Sequence, residues 1–315
     1  MTRPKLATTL QTLGHTAPLK DGAVRLPGFE LEWLEVSPII QAFRRMVRGV
    51  EFDVSEMALT TYLTARAFDK GFTALPVFLV RGFHHGAILH NTKVGIGNPK
   101  DLEGRRVGVS RGYTVTTGVW VRGLLQHEYG VNLDKITWVL SGDEHVAEFR
   151  PPGNVQSLEP GKTLESALIC GELAAAIGIK AEHPDIAPLI PDAATHAFGR
   201  LQRDAYYPIN HTVVVKDGVL QKYPHVAVEL FEAFGAAKRQ YLERLRNAQI
   251  AAPSAVDRMY ARVLEITGSD PLPYGIEPNR GMLETLMGYA CEQRILPRSF
   301  ALEEVFAPGT AHLIA

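Results

Sequence analysis

Cysteine is scarce in this 315-residue chain, which contains only Cys170 and Cys291. They are far apart in the sequence and outside any CxxC spacing, so neither a disulfide framework nor a paired-cysteine zinc site is indicated. Both stand in apolar stretches, and we predict two reduced residues in the core. A buried thiol in such surroundings makes a poor nucleophile.

Long apolar runs and a strong net charge are also missing. No segment reaches the length of a transmembrane span, and the basic N-terminus lacks the apolar region of a secretory signal, so we expect a cytoplasmic protein. A net charge of -1 gives no reason to expect binding to nucleic acid or to an anionic membrane. A small molecule is therefore the expected partner.

Three common motifs are absent. Gly95-Ile-Gly97 lacks the third glycine of a dinucleotide fingerprint and does not open a helix, and there is no phosphate-binding P-loop. No GxSxG elbow is present, so a Ser-His-Asp hydrolase is not supported.

What the sequence does contain is an alternation of short apolar strands and amphipathic helices. Strands are predicted at residues 5–10, 31–36, 52–54 and 75–80, with a polar turn after the first and helices after the second and third, and the pattern starts again after Pro99 with a strand at 107–109. A strongly β-branched strand at 206–215 and long helices at 224–247 and 255–266 follow. This order predicts an α/β protein of two units, each a mostly parallel sheet flanked by helices, joined by strands rather than by a tether.

Polar side chains follow three of these strands, at Ser55-Glu56, at 81–85 and at 110–114. Ligands of open α/β sheets bind beyond the carboxyl ends of the strands, so the three segments predict one crevice. In the turn 110–114, backbone N–H groups, hydroxyls and the Arg111 guanidinium precede a helix predicted from Thr114, which indicates an anion site. The alternative is a tight turn with a solvated arginine.

The segment from Arg81 to His85 combines a permanent cation with two imidazoles, His84 and His85. Such a cluster can hold a carboxylate and move a proton. The alternative is a polar loop in which a backbone group satisfies one histidine. Metal ligation by both is disfavoured because adjacent residues of an extended segment point to opposite sides. Glu56, His15 and His211 could complete a site.

Two later segments carry further candidates. Residues 206–211 supply Tyr207, Asn210 and His211 just before a buried strand, and residues 273–280 place Tyr274 and Glu277 in a rigid turn. Core packing of a tyrosine and a salt-bridged helix cap are the respective alternatives.

Over most of its length the chain resembles the 4,5-dihydroxyphthalate decarboxylase family. The resemblance rests on Asp53-Val-Ser-Glu-Met57, Arg81-Gly-Phe-His-His85, residues 101–117, Pro208-Ile-Asn-His-Thr212 and Tyr274-Gly-Ile-Glu-Pro-Asn279. His84 stands where the family often has an arginine. The resemblance implies a type II periplasmic-binding-protein-like fold, with lobe one at 1–95 plus 206–315, lobe two at 96–205, and the ligand in the cleft between them.

The activity so implied is a cofactor-independent decarboxylation of a hydroxylated aromatic acid, 4,5-dihydroxyphthalate, to protocatechuate and CO2 by protonation of a ring carbon. We expect His85, then His84, to donate that proton, and Glu56 or His211 to assist deprotonation of a ring hydroxyl. The expected substrate-binding residues are Ser55, Arg81, Ser110, Arg111, Tyr113, Thr114, Tyr207, Asn210, Tyr274 and Glu277.

Several alternatives stay open at this point. A divalent metal could polarise the catechol, although the substrate's own hydroxyl makes an organic cofactor unnecessary. A solute-binding protein that closes on an aromatic or other carboxylate without chemistry is the main rival, and a pyrimidine-precursor synthase on the same lobes is a second. A homo-oligomer is also open, because the apolar tail after Phe306 could dock on a neighbour.

Overall fold

The computed structural model describes residues 3–315, which divide into two compact units. The first contains the described residues up to Arg81, together with Ile209–Glu284 and Phe300–Ala315. The second contains Gly82–Pro208 and Thr285–Ser299. The second unit thus begins earlier than the lobe limit expected at residue 96, because the strand that follows Arg81 pairs inside the second unit's sheet.

The strands, numbered in chain order, are β1 (Lys5–Thr9), β2 (Glu30–Trp33), β3 (Val54–Ala58), β4 (Phe72–Arg81), β5 (Ile88–Asn91), β6 (Arg106–Val109), β7 (Thr137–Leu140), β8 (Val155–Ser157), β9 (Ala175–Ile177), β10 (Ile186–Pro188) and β11 (Ile209–Lys216). The α-helices are α1 (Ala17–Lys20), α2 (Ile40–Gly49), α3 (Leu59–Ala67), α4 (Thr116–Tyr129), α5 (Leu164–Ile169), α6 (Ala193–Asp204), α7 (Asp217–Lys222), α8 (Val226–Arg246), α9 (Ala255–Thr267), α10 (Arg280–Glu292) and α11 (Leu302–Val305).

The sheet of the first unit has the order β2-β1-β3-β11-β4. β1 runs parallel to β2 and β3, whereas β11 runs antiparallel to β3 and β4. The β-branched run Val213, Val214 and Val215 is fully buried, as suits a strand inside the sheet, and α8 contributes to the same apolar core. The carboxyl ends of β1, β3 and β4 and the start of β11 therefore lie at one edge.

The sheet of the second unit has the order β10-β5-β9-β6-β7-β8, with parallel pairing from β9 to β8 and antiparallel pairing of β5 with both neighbours. Both sheets are thus mixed, and the predicted α/β class is confirmed. The first is less parallel than predicted, because β11 returns to it after the second unit and runs against its neighbours.

The expectation that both cysteines lie in the core is wrong. Cys170 ends α5 with its side chain exposed and Cys291 is half-buried, both as free thiols, because the apolar side of α5 is formed by other residues.

The tail after Phe306 packs on its own unit: Phe306 pairs with Ala74, and Ala315 exchanges two backbone hydrogen bonds with Tyr274. Within residues 3–315, no helix combines the length and the apolarity that crossing a membrane requires.

Candidate active site

A buried carboxylate and an imidazole meet at the edge of the first sheet. Glu56 of β3 has no exposed surface, and its Oε1 lies 2.6 Å from Nδ1 of His211 on β11. The backbone N–H and the side-chain amide of Gln11, just beyond β1, each donate to the same carboxylate at 2.8 Å. Antiparallel pairing of β3 with β11 brings the couple together across 155 positions of the chain.

The charge state of this Glu56–His211 couple follows from its surroundings. Burial by itself would raise the pKa of Glu56, but the hydrogen bonds and charge of His211 and the donors of Gln11 outweigh it, so the pKa is lowered. An ionised Glu56 only accepts, and Nδ1 of His211 must carry the proton. Phe43 packs edge-on against the half-buried imidazole at 5.1 Å. Nε2 is the nitrogen left for proton transfer with a ligand.

Ser55 and Asn210 flank the couple. Both Ser55 and Glu56 lie inside β3 and not beyond a strand that ends at residue 54, because β3 continues pairing with β11. The Ser55 hydroxyl is fully buried and donates to the Glu56 carbonyl at 2.8 Å. The β11–β4 ladder shifts register between Ile209 and His211, which puts Asn210 at a bulge, a feature that re-aims side chains.

Arg81 ends β4 at the same edge and is anchored by a side-chain amide. Its Nη1 donates to Oδ1 of Asn279 at 2.7 Å, and the Asn279 amide nitrogen donates to the carbonyls of Pro273 and Gly275 at 2.9 and 2.8 Å. The segment from Tyr274 to Asn279 is thus folded so that the Asn279 side chain holds the buried guanidinium of Arg81. Sequence reasoning did not single out Asn279.

The two residues that were expected from this motif take other places. Tyr274 is fully buried in the first unit's core under the Lys238 ammonium, 4.5 Å away, and burial raises its pKa well above the ordinary value. Glu277 is exposed and pairs with Arg280 at 2.6 Å. The contacts of Glu277 are those of the salt-bridged helix cap, the alternative considered for this segment, whereas core packing of Tyr274 was not anticipated.

Removing the Asn279 side chain should destabilise the first unit. Asn279→Ala takes away the Oδ1 acceptor of a buried cation and leaves two carbonyls without their donor. We expect a loss of roughly 2–4 kcal/mol in the free energy of unfolding, measured by urea denaturation. A loss below about 0.5 kcal/mol, the range of an unimportant surface change, would contradict the anchoring role.

His15 is buried against Tyr241 and Tyr260 in the first unit. Burial lowers its pKa from 6.5 to about 4, although a backbone hydrogen bond with Leu79 and the charge of Glu56 raise it. His15 is therefore neutral near pH 7.

This burial predicts a pH-dependent stability. Between pH 6.5 and about 4 the unfolded chain binds a proton at His15 that the folded chain does not, so acidification through this window should cost about 3 kcal/mol. Urea denaturation at pH 7 and pH 4 should show that His15→Gln loses correspondingly less stability on acidification than the unsubstituted chain. Equal losses in the two proteins would contradict the assignment.

In the second unit, the turn 110–114 already holds an anion, and that anion belongs to the chain itself. The Tyr113 N–H donates to Oε1 of Glu144, and the N–H and hydroxyl of Thr114 donate to Oε2 at 3.2 and 2.6 Å. Gly112 has no side chain where a Cβ would lie 2.6 Å from this carboxylate. Tyr113 and Thr114 are therefore occupied donors, and α4 begins only at Thr116.

A fully buried cation lies behind the same turn. Arg122 of α4 donates to the Tyr113 carbonyl at 2.6 Å and to Oε1 of Gln293 at 2.8 Å, with the Tyr113 ring 3.9 Å away. Burial lowers the pKa of Arg122, and the charge of Glu144 partly offsets this. Sequence reasoning missed both Glu144, in a loop, and Arg122, inside an apolar helix, because neither stands in a motif.

Arg111 differs from its neighbours in the turn. Its backbone N–H donates to Oγ of Ser141 at 2.8 Å, and its φ of 69° is in the left-handed region. Burial lowers the pKa of the half-buried guanidinium, and no carboxylate of residues 3–315 lies within ion-pair distance of it. Arg111, with the adjacent half-buried Ser110, is the part of the predicted anion site that an external carboxylate can use.

The two adjacent histidines lie in the second unit. His85 has no exposed surface, and its Nε2 is 3.3 Å from Oε2 of Glu128, which also pairs with Arg200. His84 is buried with its ring parallel to that of Trp120 at 6.4 Å. Nδ1 of His85 is buried and has no hydrogen-bond partner among the described residues.

Tyr206 and Tyr207, from the segment before β11, pack on rings of the segment that contains these histidines. Tyr206 lies edge-on to His85 at 6.3 Å, and burial raises its pKa. Tyr207 packs on Phe83 at 5.3 Å.

Within the described part of the chain, no three His, Cys, Asp or Glu side chains are grouped so that they could hold a metal ion.

Comparison with known proteins identifies the family. No family model matches the chain. A protein of Comamonas testosteroni named 4,5-dihydroxyphthalate decarboxylase is 27% identical over 98% of both chains. One of Pseudomonas putida with the same name is 30% identical over 61% of this chain and 79% of its own.

The fold has relatives among solved structures. A conserved Candida albicans protein described as having the generic periplasmic binding protein fold superposes with a TM-score of 0.56 at 13% identity, covering 99% of this chain and 98% of its own. This confirms the predicted periplasmic-binding-protein-like fold. With the fold and the two decarboxylase relatives in agreement, the chain belongs to the 4,5-dihydroxyphthalate decarboxylase family.

Proposed function

We propose that the chain is an aromatic carboxy-lyase that converts 4,5-dihydroxyphthalate to protocatechuate and CO2. Two relatives named 4,5-dihydroxyphthalate decarboxylase, one of which matches 98% of this chain, support this choice of substrate. The observation that carries the chemistry is the Glu56–His211 couple, a buried carboxylate that orients an imidazole at the strand-end edge.

The substrate can supply its own driving force. Loss of a proton from the hydroxyl para to the leaving carboxylate pushes electron density to the carbon that bears that carboxylate. This carbon accepts a proton, the bond to the carboxylate breaks, and CO2 leaves as the ring regains aromaticity. The net reaction consumes one proton and needs no organic cofactor.

His211 is proposed to begin this sequence. Its Nε2 takes the hydroxyl proton while Nδ1 keeps its hydrogen bond to Glu56. The Glu56 carboxylate then stabilises the imidazolium without itself being protonated, as its lowered pKa requires. Arg81, at the same edge, contributes a fixed positive charge that favours the phenolate.

The proton for the ring carbon is proposed to come from His85, with His84 as the second candidate. Nε2 of His85 is engaged by Glu128, so the donor atom is Nδ1, which is buried and has no hydrogen-bond partner among the described residues. In the second unit, Arg111 and Ser110 bind the carboxylate that the product retains. A guanidinium suits this task because it can form two parallel hydrogen bonds to one carboxylate.

The test is to incubate the purified protein with 4,5-dihydroxyphthalate, with and without divalent metals, and to follow CO2 and protocatechuate. We expect the two products in equal amounts. No turnover under any metal supplement would overturn the proposal, and tight binding with quantitative recovery of the ligand would indicate a solute-binding protein instead.

A further inference from the structure

We infer that Ser141 and Glu144 are positioning residues that hold the turn around Arg111 in the conformation that binds a carboxylate. The inference rests on the proposed carboxylate role of Arg111. Neither residue needs to touch the substrate, since both act through the backbone of the turn.

The backbone at Arg111 needs outside support. A φ of 69° is uncommon for a residue with a side chain and persists where surrounding contacts enforce it. The Ser141 hydroxyl accepts the Arg111 N–H at 2.8 Å, and Gly142 lies beside the turn, where an added Cβ would make an ordinary van der Waals contact of 3.4 Å with the Arg111 Cα. The two residues that follow β7 therefore hold the backbone from which the guanidinium extends.

Glu144 holds the next part of the same turn. Its carboxylate takes the N–H groups of Tyr113 and Thr114 and the Thr114 hydroxyl, and the bare Cα of Gly112 lets it approach. One short segment, residues 141–144, thus binds the turn on both sides of Gly112. The contacts involve only the backbone of Arg111, and its side chain keeps its charge available for a ligand.

A negative charge beside an anion site would ordinarily weaken that site. Here the fully buried Arg122 lies behind the turn, hydrogen-bonded to the Tyr113 carbonyl, and its charge opposes that of Glu144. Arg111 then remains as the cation that an incoming carboxylate meets.

These two effects of Glu144 predict opposite results for Glu144→Gln. If the residue acted only through its charge, its removal would strengthen binding of an anion. If it positions the turn, the weaker amide acceptor would loosen Arg111 and weaken binding. Ser141→Ala changes no charge and removes only the acceptor of the Arg111 N–H, so it tests positioning alone.

The experiment measures the Kd of two probes by titration calorimetry on the full chain. Phthalate has both carboxylates and no hydroxyl, and catechol has both hydroxyls and no carboxylate. For Ser141→Ala and Glu144→Gln we expect the Kd of phthalate to rise about five- to tenfold, with that of catechol unchanged. Thr163→Ala, which removes the cap of α5 in the same unit, is the control for a general loss of stability and should change neither Kd.

Arg111→Met distinguishes the positioning role of Ser141 and Glu144 from the carboxylate role of Arg111 on which it depends. If this variant weakens phthalate binding while Ser141→Ala and Glu144→Gln do not, or if Glu144→Gln binds phthalate more tightly, the positioning role is overturned and the carboxylate role of Arg111 stands. If Arg111→Met binds phthalate normally, the carboxylate role fails and the positioning role fails with it. Decarboxylation itself is judged separately, by product formation.

Discussion

Replacing His211 with asparagine is expected to lower kcat by about 10²- to 10⁴-fold, the usual contribution of a general base. The asparagine amide can occupy the place of Nδ1 and donate to Glu56, so the buried carboxylate keeps a partner and the fold is retained. What the variant lacks is Nε2, the atom proposed to take the hydroxyl proton. KM should change little, because the carboxylate is bound elsewhere.

The control is His225→Asn in the same unit. His225 lies 3.5 Å from Glu229, so it also forms a histidine–carboxylate pair, but it is exposed. Its kcat should stay within about twofold of the unsubstituted chain, as expected of a surface change. If His211→Asn kept nearly full kcat while remaining folded, the base would have to be sought outside the Glu56–His211 couple.

Replacing His85 with glutamine is the second large effect we expect, a fall in kcat of about 10²- to 10⁴-fold with substrate binding nearly intact. The glutamine amide can reach the position of Nε2 and donate to Glu128, which preserves the buried contact. It cannot replace the proton donor at Nδ1. Single-turnover kinetics would separate the slowed chemical step from binding.

His127→Gln is the matched control in the second unit, because His127 forms an exposed pair with Glu292 at 2.7 Å. Unchanged kcat is expected for it. If His85→Gln turned over normally and His84→Gln did not, the donor would be His84, whose ring stacks on Trp120. If both variants turned over normally, the acid would lie outside this pair.

The sequence predicted the elements that have strong local signals. The apolar run before Ser110 and the β-branched run of Val213–Val215 are strands because such side chains pack well inside a sheet. Element limits were less well predicted. Ser55 and Glu56 were placed after a strand, yet they belong to it because β11 pairs beside them, a contact that no local pattern shows.

The site was predictable in its residue types and less so in its connections. Glu56 and His211 were both candidates, but their contact depends on a strand that returns to the first sheet after the whole second unit. The turn 110–114 was predicted to bind the anion of a ligand, whereas its donors at Tyr113 and Thr114 bind Glu144, which comes from a loop without a motif. Burial cannot be read from a local sequence pattern either. Tyr274 was therefore expected at the site, although it lies in the core.

The central claim is that a ring hydroxyl drives the loss of CO2. The most direct measurement compares CO2 release from 4,5-dihydroxyphthalate and from phthalate by one protein preparation. We expect CO2, with an equal amount of protocatechuate, from 4,5-dihydroxyphthalate and none from phthalate, which has no hydroxyl to deprotonate. Release of CO2 from phthalate at a similar rate, or from neither compound, would contradict it.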